Sequence, residues 1–89
     1  MAKLASAPAT VRIYSKPGCH LCEVAKSNIL SAGCEGEFVL EEINIENDEA
    51  ALRQFQYDIP VVFINGVKAF KHQVSSKDFK HKLQRLGKV

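Results

Sequence analysis

The run Val61 to Lys71, VVFINGVKAFK, restricts this chain more than any other stretch: two β-rich segments flank the dipeptide Asn65-Gly66. Asn-Gly readily takes the positive φ values that both central positions of a two-residue type I′ turn require. The run therefore specifies a β-hairpin, with strands Val61 to Ile64 and Val67 to Lys71. The rest of the chain must be arranged around it. With 89 residues, 46% of them hydrophobic, there is enough material for one modest core and one domain.

The other elements follow from local pattern. Val11 to Tyr14 is a short strand that ends at Ser15-Lys16-Pro17-Gly18, where proline and glycine stop it. From Leu21 the apolar positions Leu21, Val24, Ala25, Ile29 and Ala32 fall at helical spacing, and Gly33 closes the helix. Phe38 to Ile45 returns to strand chemistry, with Val39, Ile43 and Ile45 on one face and Phe38 and Leu40 on the other. Asn47 is a candidate cap for a short helix with the stripe Ala51, Leu52 and Phe55, which must end before Ile59 because Pro60 disfavours helical geometry there. Ser75 or Ser76 can cap a last helix that turns Phe79, Leu83 and Leu86 inward and leaves Lys77, Lys80, Lys82 and Arg85 mostly in water. The order β-α-β-α-β-β-α makes this an α/β protein. Few right-handed, unknotted solutions exist for it. The thioredoxin fold, a four-stranded mixed sheet with helices on both faces, is one.

Residues 1–10 hold one lysine among small residues and lack the roughly 7–15-residue apolar block of a secretory signal. They read as a flexible leader ahead of a domain at 11–89, and a processing remnant of organelle targeting would look similar. No apolar run approaches the roughly 20 residues a membrane helix needs. The charge balance, 12 basic against 10 acidic residues for a net +2, implies neither nucleic acid nor a membrane as the main partner. Three cysteines, two of them only three positions apart, do not form the framework of a disulfide-stapled secreted domain. A reducing compartment fits, so a cytoplasmic monomer is expected, with an organelle such as the mitochondrion as the alternative location.

In that setting Cys19-His20-Leu21-Cys22 is expected to do chemistry or hold metal. Cysteine attacks as the thiolate, and a free thiol with pKa near roughly 8.5 is mostly protonated at neutral pH. A helix start supplies unpaired N–H donors and the positive end of the dipole, which favour the anion. Lys16 and protonated His20 add to this. Cys19, at the exposed end, would attack, and Cys22, one turn deeper, would resolve. A zinc site needs further ligands, and Cys34, His72 and His81 supply no second close pair. Cys34 reads as a small, semi-buried side chain, and His72 and His81 carry no local signal.

Lys16-Pro17-Gly18-Cys19-His20-Leu21-Cys22 after a strand, and Ile59-Pro60-Val61 before a hairpin, together resemble a glutaredoxin over roughly residues 11–86. More narrowly, Asp58-Ile59-Pro60-Val61, then Asn65-Gly66 and a short basic final helix, is similar to the small single-domain glutaredoxin-like proteins. The resemblance implies that Pro60 is cis and faces the cysteine pair, that the Ile59 backbone binds an extended substrate as an added strand, and that Lys16 meets a glutathione carboxylate. It also implies a thiol–disulfide oxidoreductase acting on protein or glutathione mixed disulfides, with glutathione as the reductant and no tightly bound cofactor. Two other readings stay open on the residues alone: a module holding an iron–sulfur cluster or metal on Cys19 and Cys22, within one chain or shared between two, and a non-catalytic thioredoxin-fold interaction protein.

Overall fold

The hairpin forms as its Asn-Gly pair demands, with φ of 49° at Asn65 and 84° at Gly66. The computed structural model describes residues 8–87. In chain order the elements are β1 (Ala9–Ser15), α1 (His20–Leu30), β2 (Phe38–Asn44), a 3-10 turn (Ile45–Asn47), α2 (Glu49–Phe55), β3 (Val61–Ile64), β4 (Val67–Lys71) and α3 (Ser76–Leu86). The sheet order is β2-β1-β3-β4. β1 runs parallel to β2, from Ala9 opposite Phe38 to Ser15 opposite Asn44, and antiparallel to β3, with Val11 opposite Ile64 and Tyr14 opposite Val61. β3 and β4 are antiparallel, with a bulge at Val62/Phe63. This is the mixed four-stranded α/β arrangement expected.

Alternation along β1 divides the interior into two layers. Ala9, Val11 and Ile13 point to the face where α1 and α3 pack, and join Ala25, Ile29, Val62, Ile64, Val74, Phe79 and Leu83 in the larger core. Tyr14 points the other way and packs with α2 and the 3-10 turn against Ile45, Ala51, Phe55 and Val61. Three rings interlock there: Tyr14 lies 4.6 Å from Phe55 and 5.6 Å from Phe63 between centroids. Such aromatic pairs add about 0.5–1.5 kcal/mol each beyond the area they bury. On the first face, Asn28 Nδ2 donates to the Val74 carbonyl at 2.8 Å and Ser76 Oγ to the Asn28 carbonyl at 2.8 Å, tying α1 to the start of α3.

The structure corrects several local expectations. β1 begins at Ala9, so Ala9 and Thr10 belong to the sheet rather than to a leader; residues 1–7 of that leader lie outside the described residues. Ala9 is drawn in because it is buried beneath the larger core and its N–H donates to the Glu37 carbonyl. The buried stripe of α1 is Cys22, Ala25 and Ile29, whereas Leu21 (53%) and Val24 (41%) are exposed. The physical reason is that a cysteine packs as a small hydrophobe, so the 22, 25, 29 row competes successfully with the row through Leu21 and Val24. The cap of α2 is Asp48, whose Oδ1 accepts from the Ala50 and Ala51 N–H groups, and not Asn47, which is wound into the 3-10 turn capped by Asn44. Finally, Val39 is exposed, because it sits opposite Thr10 at the end of the sheet away from the residues packed on α2. The last helix agrees with expectation: Ser75 caps it, and Phe79 and Leu83 are buried.

Asn65 does more than turn the chain. Its N–H donates to the Thr10 carbonyl at 2.8 Å, its Oδ1 accepts from the Thr10 N–H at 2.9 Å, and its Nδ2 donates to the Leu86 carbonyl at the end of α3 at 3.0 Å. One side chain thus joins the hairpin, β1 and α3. Asn65→Ala should cost about 2 kcal/mol, from two lost side-chain bonds and a residue less tolerant of positive φ. Asn65→Gly, which keeps the turn, should cost about half as much; urea unfolding with an unchanged m-value checks both.

Cys34 is 2% exposed within the larger core, deeper than the semi-buried placement expected. Burial first, and Glu37 second, push its thiol above the ordinary range, against a smaller opposing effect of Lys80. A raised pKa leaves less thiolate, so its alkylation at pH 8 in the oxidised, folded protein should be at least about tenfold slower than that of a free thiol, and complete only in denaturant. Iodoacetamide labelling followed by mass spectrometry measures this.

Candidate active site

The site is built where β1 hands over to α1. Ser15, the last residue of β1, is 4% exposed, and its hydroxyl donates to Glu42 Oε2 at 3.1 Å across the parallel pair. The chain then turns through Lys16, Pro17 and Gly18. Gly18 has a φ of 80°, a conformation that side-chain-bearing residues resist, and the Cys19 N–H closes the turn on the Lys16 carbonyl at 3.3 Å. This delivers Cys19 to the N-cap of α1. Its backbone is extended (φ −87°, ψ 105°), its carbonyl accepts from the Glu23 N–H at 3.2 Å, and its Sγ accepts from the Cys22 N–H at 3.2 Å. Serine, threonine, aspartate or asparagine usually fills that role; here a sulfur does.

Cys19 and Cys22 are joined as a disulfide, with Cα atoms 5.3 Å apart. Their burial is unequal: Cys19 is half-buried and Cys22 is 2% exposed. Lys16 and His20 are both exposed, His20 as the first residue of α1. A depression of about 260 Å³ beside them is lined by Ser15, Lys16, Pro17, Glu23, Glu42 and Asn44. Glu42 also accepts from Lys26 Nζ at 3.1 Å, and this carboxylate raises the Lys26 ammonium pKa. Glu42 therefore ties the end of β1 to the second turn of α1, a role the sequence did not suggest. A larger groove of about 500 Å³, lined by Thr10, Arg12, Tyr14, Phe63, Asn65 and Gly66, lies on the other face of the sheet and extends toward the hairpin turn, away from the cysteines.

The Ile59–Pro60 peptide bond is cis, with Pro60 buried and Ile59 half-buried. Strand register brings it to the cysteine end of the sheet: Tyr14 is opposite Val61, and Val61 opposite Lys71. The segments beyond these residues, Lys16 to Cys19, Asp58 to Pro60 and His72, therefore meet at one edge. The His72 N–H donates to the Asp58 carbonyl at 3.1 Å and to the Pro60 carbonyl at 2.8 Å. Among the described residues, no turn or loop backbone hydrogen bond uses the N–H or carbonyl of Ile59. His72 is the site residue that sequence reasoning missed; its type is among those enriched at positive φ, but only its position one residue after the hairpin pointed to this edge.

Cys34 lies beyond the far end of α1, which spans about 16 Å, and is not part of this cluster. His81 is on the exposed side of α3. Among the described residues no group of three or more His, Cys, Asp or Glu side chains is placed to hold a metal ion, and no helix is long and apolar enough to cross a membrane.

The sequence and the fold have counterparts in known proteins. The glutaredoxin-like domain (DUF836) matches residues 10–84. A glutaredoxin-like protein of Dictyostelium discoideum is 33% identical over 82 residues, covering 85% of this chain and 76% of its own length. Among solved structures, protein Ne2328 of Nitrosomonas europaea superposes with a TM-score of 0.71 at 26% identity, over 85% of this chain and 92% of the other. Protein XcR50 of X. campestris gives 0.73 at 19% identity, over 84% and 96%, and shows the fold. With the family pattern spanning nearly all of the described residues and a relative at one-third identity, the chain belongs to the glutaredoxin-like (DUF836) family.

Proposed function

We propose that this protein is a dithiol–disulfide oxidoreductase in which Cys19 is the nucleophile and Cys22 the resolving thiol. The observation that carries the reading is the Cys19 sulfur at the N-cap of α1, 3.2 Å from the Cys22 amide, with Cys22 buried behind it. Once the pair is reduced, that N–H and the positive end of the helix dipole favour the thiolate at position 19, and the Lys16 ammonium adds to the field.

The Cys19 thiolate attacks one sulfur of a substrate disulfide; that S–S bond breaks, a Cys19–substrate disulfide forms, and the first substrate thiolate leaves and takes up a proton. Cys22, after giving up its proton, attacks the Cys19 sulfur and expels the second substrate thiolate. Two electrons have then passed to the substrate and the protein holds the Cys19–Cys22 disulfide. Two glutathione molecules, becoming one glutathione disulfide, restore the dithiol. The substrates are protein or glutathione mixed disulfides, in the cytoplasm or an organelle such as the mitochondrion. Their peptide runs along the unpaired edge at Ile59 beside Pro60 as an added strand, while Lys16 pairs with a carboxylate.

The test is to mix reduced Cys22→Ser protein with glutathione disulfide and map the product by mass spectrometry. A glutathione adduct on Cys19, absent from Cys19→Ser, is expected, with steady-state reduction of a protein disulfide falling by at least about a hundredfold in Cys19→Ser. No adduct, or an adduct confined to Cys34, would remove the proposal.

A further inference from the structure

His72 has a φ of 71°, and apart from Asn65 it is the only non-glycine residue with positive φ among the described residues. Asn65 has its explanation in the hairpin turn. At His72 the Gln73 N–H donates to the Lys71 carbonyl at 2.9 Å, closing a three-residue γ-turn with His72 at its centre. A γ-turn of that hand is rare and strained, and strain of this kind gathers where a site must hold a particular shape. The contacts that hold it are made by the His72 N–H, which bridges the Asp58 and Pro60 carbonyls. Glycine would supply the same N–H and adopt the same φ without a Cβ in the way. No side-chain hydrogen bond of His72 is formed among the described residues, and the residue is exposed. The backbone geometry thus requires nothing that an imidazole provides.

What the imidazole can reach is set by the sheet. The turn follows β4 directly, is fastened to both residues that flank Ile59, and shares its end of the sheet with the Lys16 to Cys19 turn. From this juxtaposition we infer that His72 is a substrate-contacting residue, whose imidazole donates a hydrogen bond to a carbonyl or carboxylate oxygen of the peptide laid along Ile59. It selects disulfides that sit in a peptide framework over small disulfides that lack one. The inference deepens the oxidoreductase reading and rests on it for where the ligand lies.

The test separates binding from chemistry by using the oxidised wild-type chain and thioether probes that cannot exchange: S-methylglutathione and a blocked pentapeptide with a central S-methylcysteine, each titrated by calorimetry. His72→Gly should raise the Tm by about 5 °C, since strain is relieved, and yet weaken probe binding at least about fivefold. His72→Asn tolerates positive φ and keeps an N–H donor, so it should recover most of the affinity. Weakening of both probes marks a peptide carbonyl as the acceptor; weakening confined to S-methylglutathione marks a carboxylate. A His72→Gly protein that binds both probes as tightly as wild type, or a wild type that binds neither, overturns the inference. Failure of the Cys19 adduct would reject the redox reading while leaving a positive binding result in place.

Discussion

A sulfur atom standing where a helix cap normally puts an oxygen is the interaction on which the site depends. The Cys22 N–H points at Cys19 Sγ from 3.2 Å, and the next amide, that of Glu23, is satisfied by the Cys19 carbonyl. The start of α1 is thus fixed by the residue that is also the proposed nucleophile. A neutral thiol is a weak acceptor and a thiolate a strong one. Once the disulfide is reduced, the helix end and a charge on the sulfur would favour one another, because ionisation strengthens the cap and the cap stabilises the ion.

That coupling works only if the chain enters the helix at a defined point, and the sheet supplies it. Ser15 is held on Glu42, Gly18 makes the turn, and Glu42 is held in place by Lys26 one turn beyond Cys22. The Arg12–Glu41 and Lys26–Glu42 pairs bind β2 to β1 and to α1 on opposite faces of the sheet, but both are substantially exposed and contribute little to stability as isolated ion pairs. The first joins residues that lie directly opposite in the parallel register, Arg12 and Glu41. The apolar layers carry the stability: the larger core beneath α1 and α3, and the smaller aromatic one beneath α2, set at the same end of the sheet as the cysteines.

Much of this was legible in the sequence because its signals are local. Asn65-Gly66 has one good conformation, Ser75 is a ready cap, and a strand followed by Pro-Gly and Cys-x-x-Cys places two thiols at a helix start. The misreadings concern choices made by neighbours far away in the chain. Leu21 and Val24 are better apolar residues than Cys22, but the sheet receives the row to which Cys22 belongs. Asn47 and Asp48 are equivalent caps in isolation, and burial of Ile45 in a 3-10 turn consumes the first. Ala9 has no strand propensity and is in β1 because Glu37 offers it a carbonyl. His72 was invisible for a different reason: a positive φ on a residue with a Cβ is imposed by the Asp58 and Pro60 carbonyls together, and neither is coded at position 72.

The rotation of α1 that upsets the simple stripe also supports the order of the two chemical steps. Turning the 22, 25, 29 row onto the sheet buries Cys22 and necessarily leaves Leu21 and Val24 in water beside the half-buried Cys19. In the proposed mechanism an incoming disulfide meets the half-buried Cys19, while Cys22, 2% exposed, is joined to the sulfur three residues before it. Had the helix seated Leu21 and Val24 instead, Cys22 would have turned toward solvent and both thiols would have competed for substrate. The exposure of two aliphatic side chains is thus the structural counterpart of the resolving role proposed for Cys22, and the fold achieves it by accepting a cysteine as part of its core.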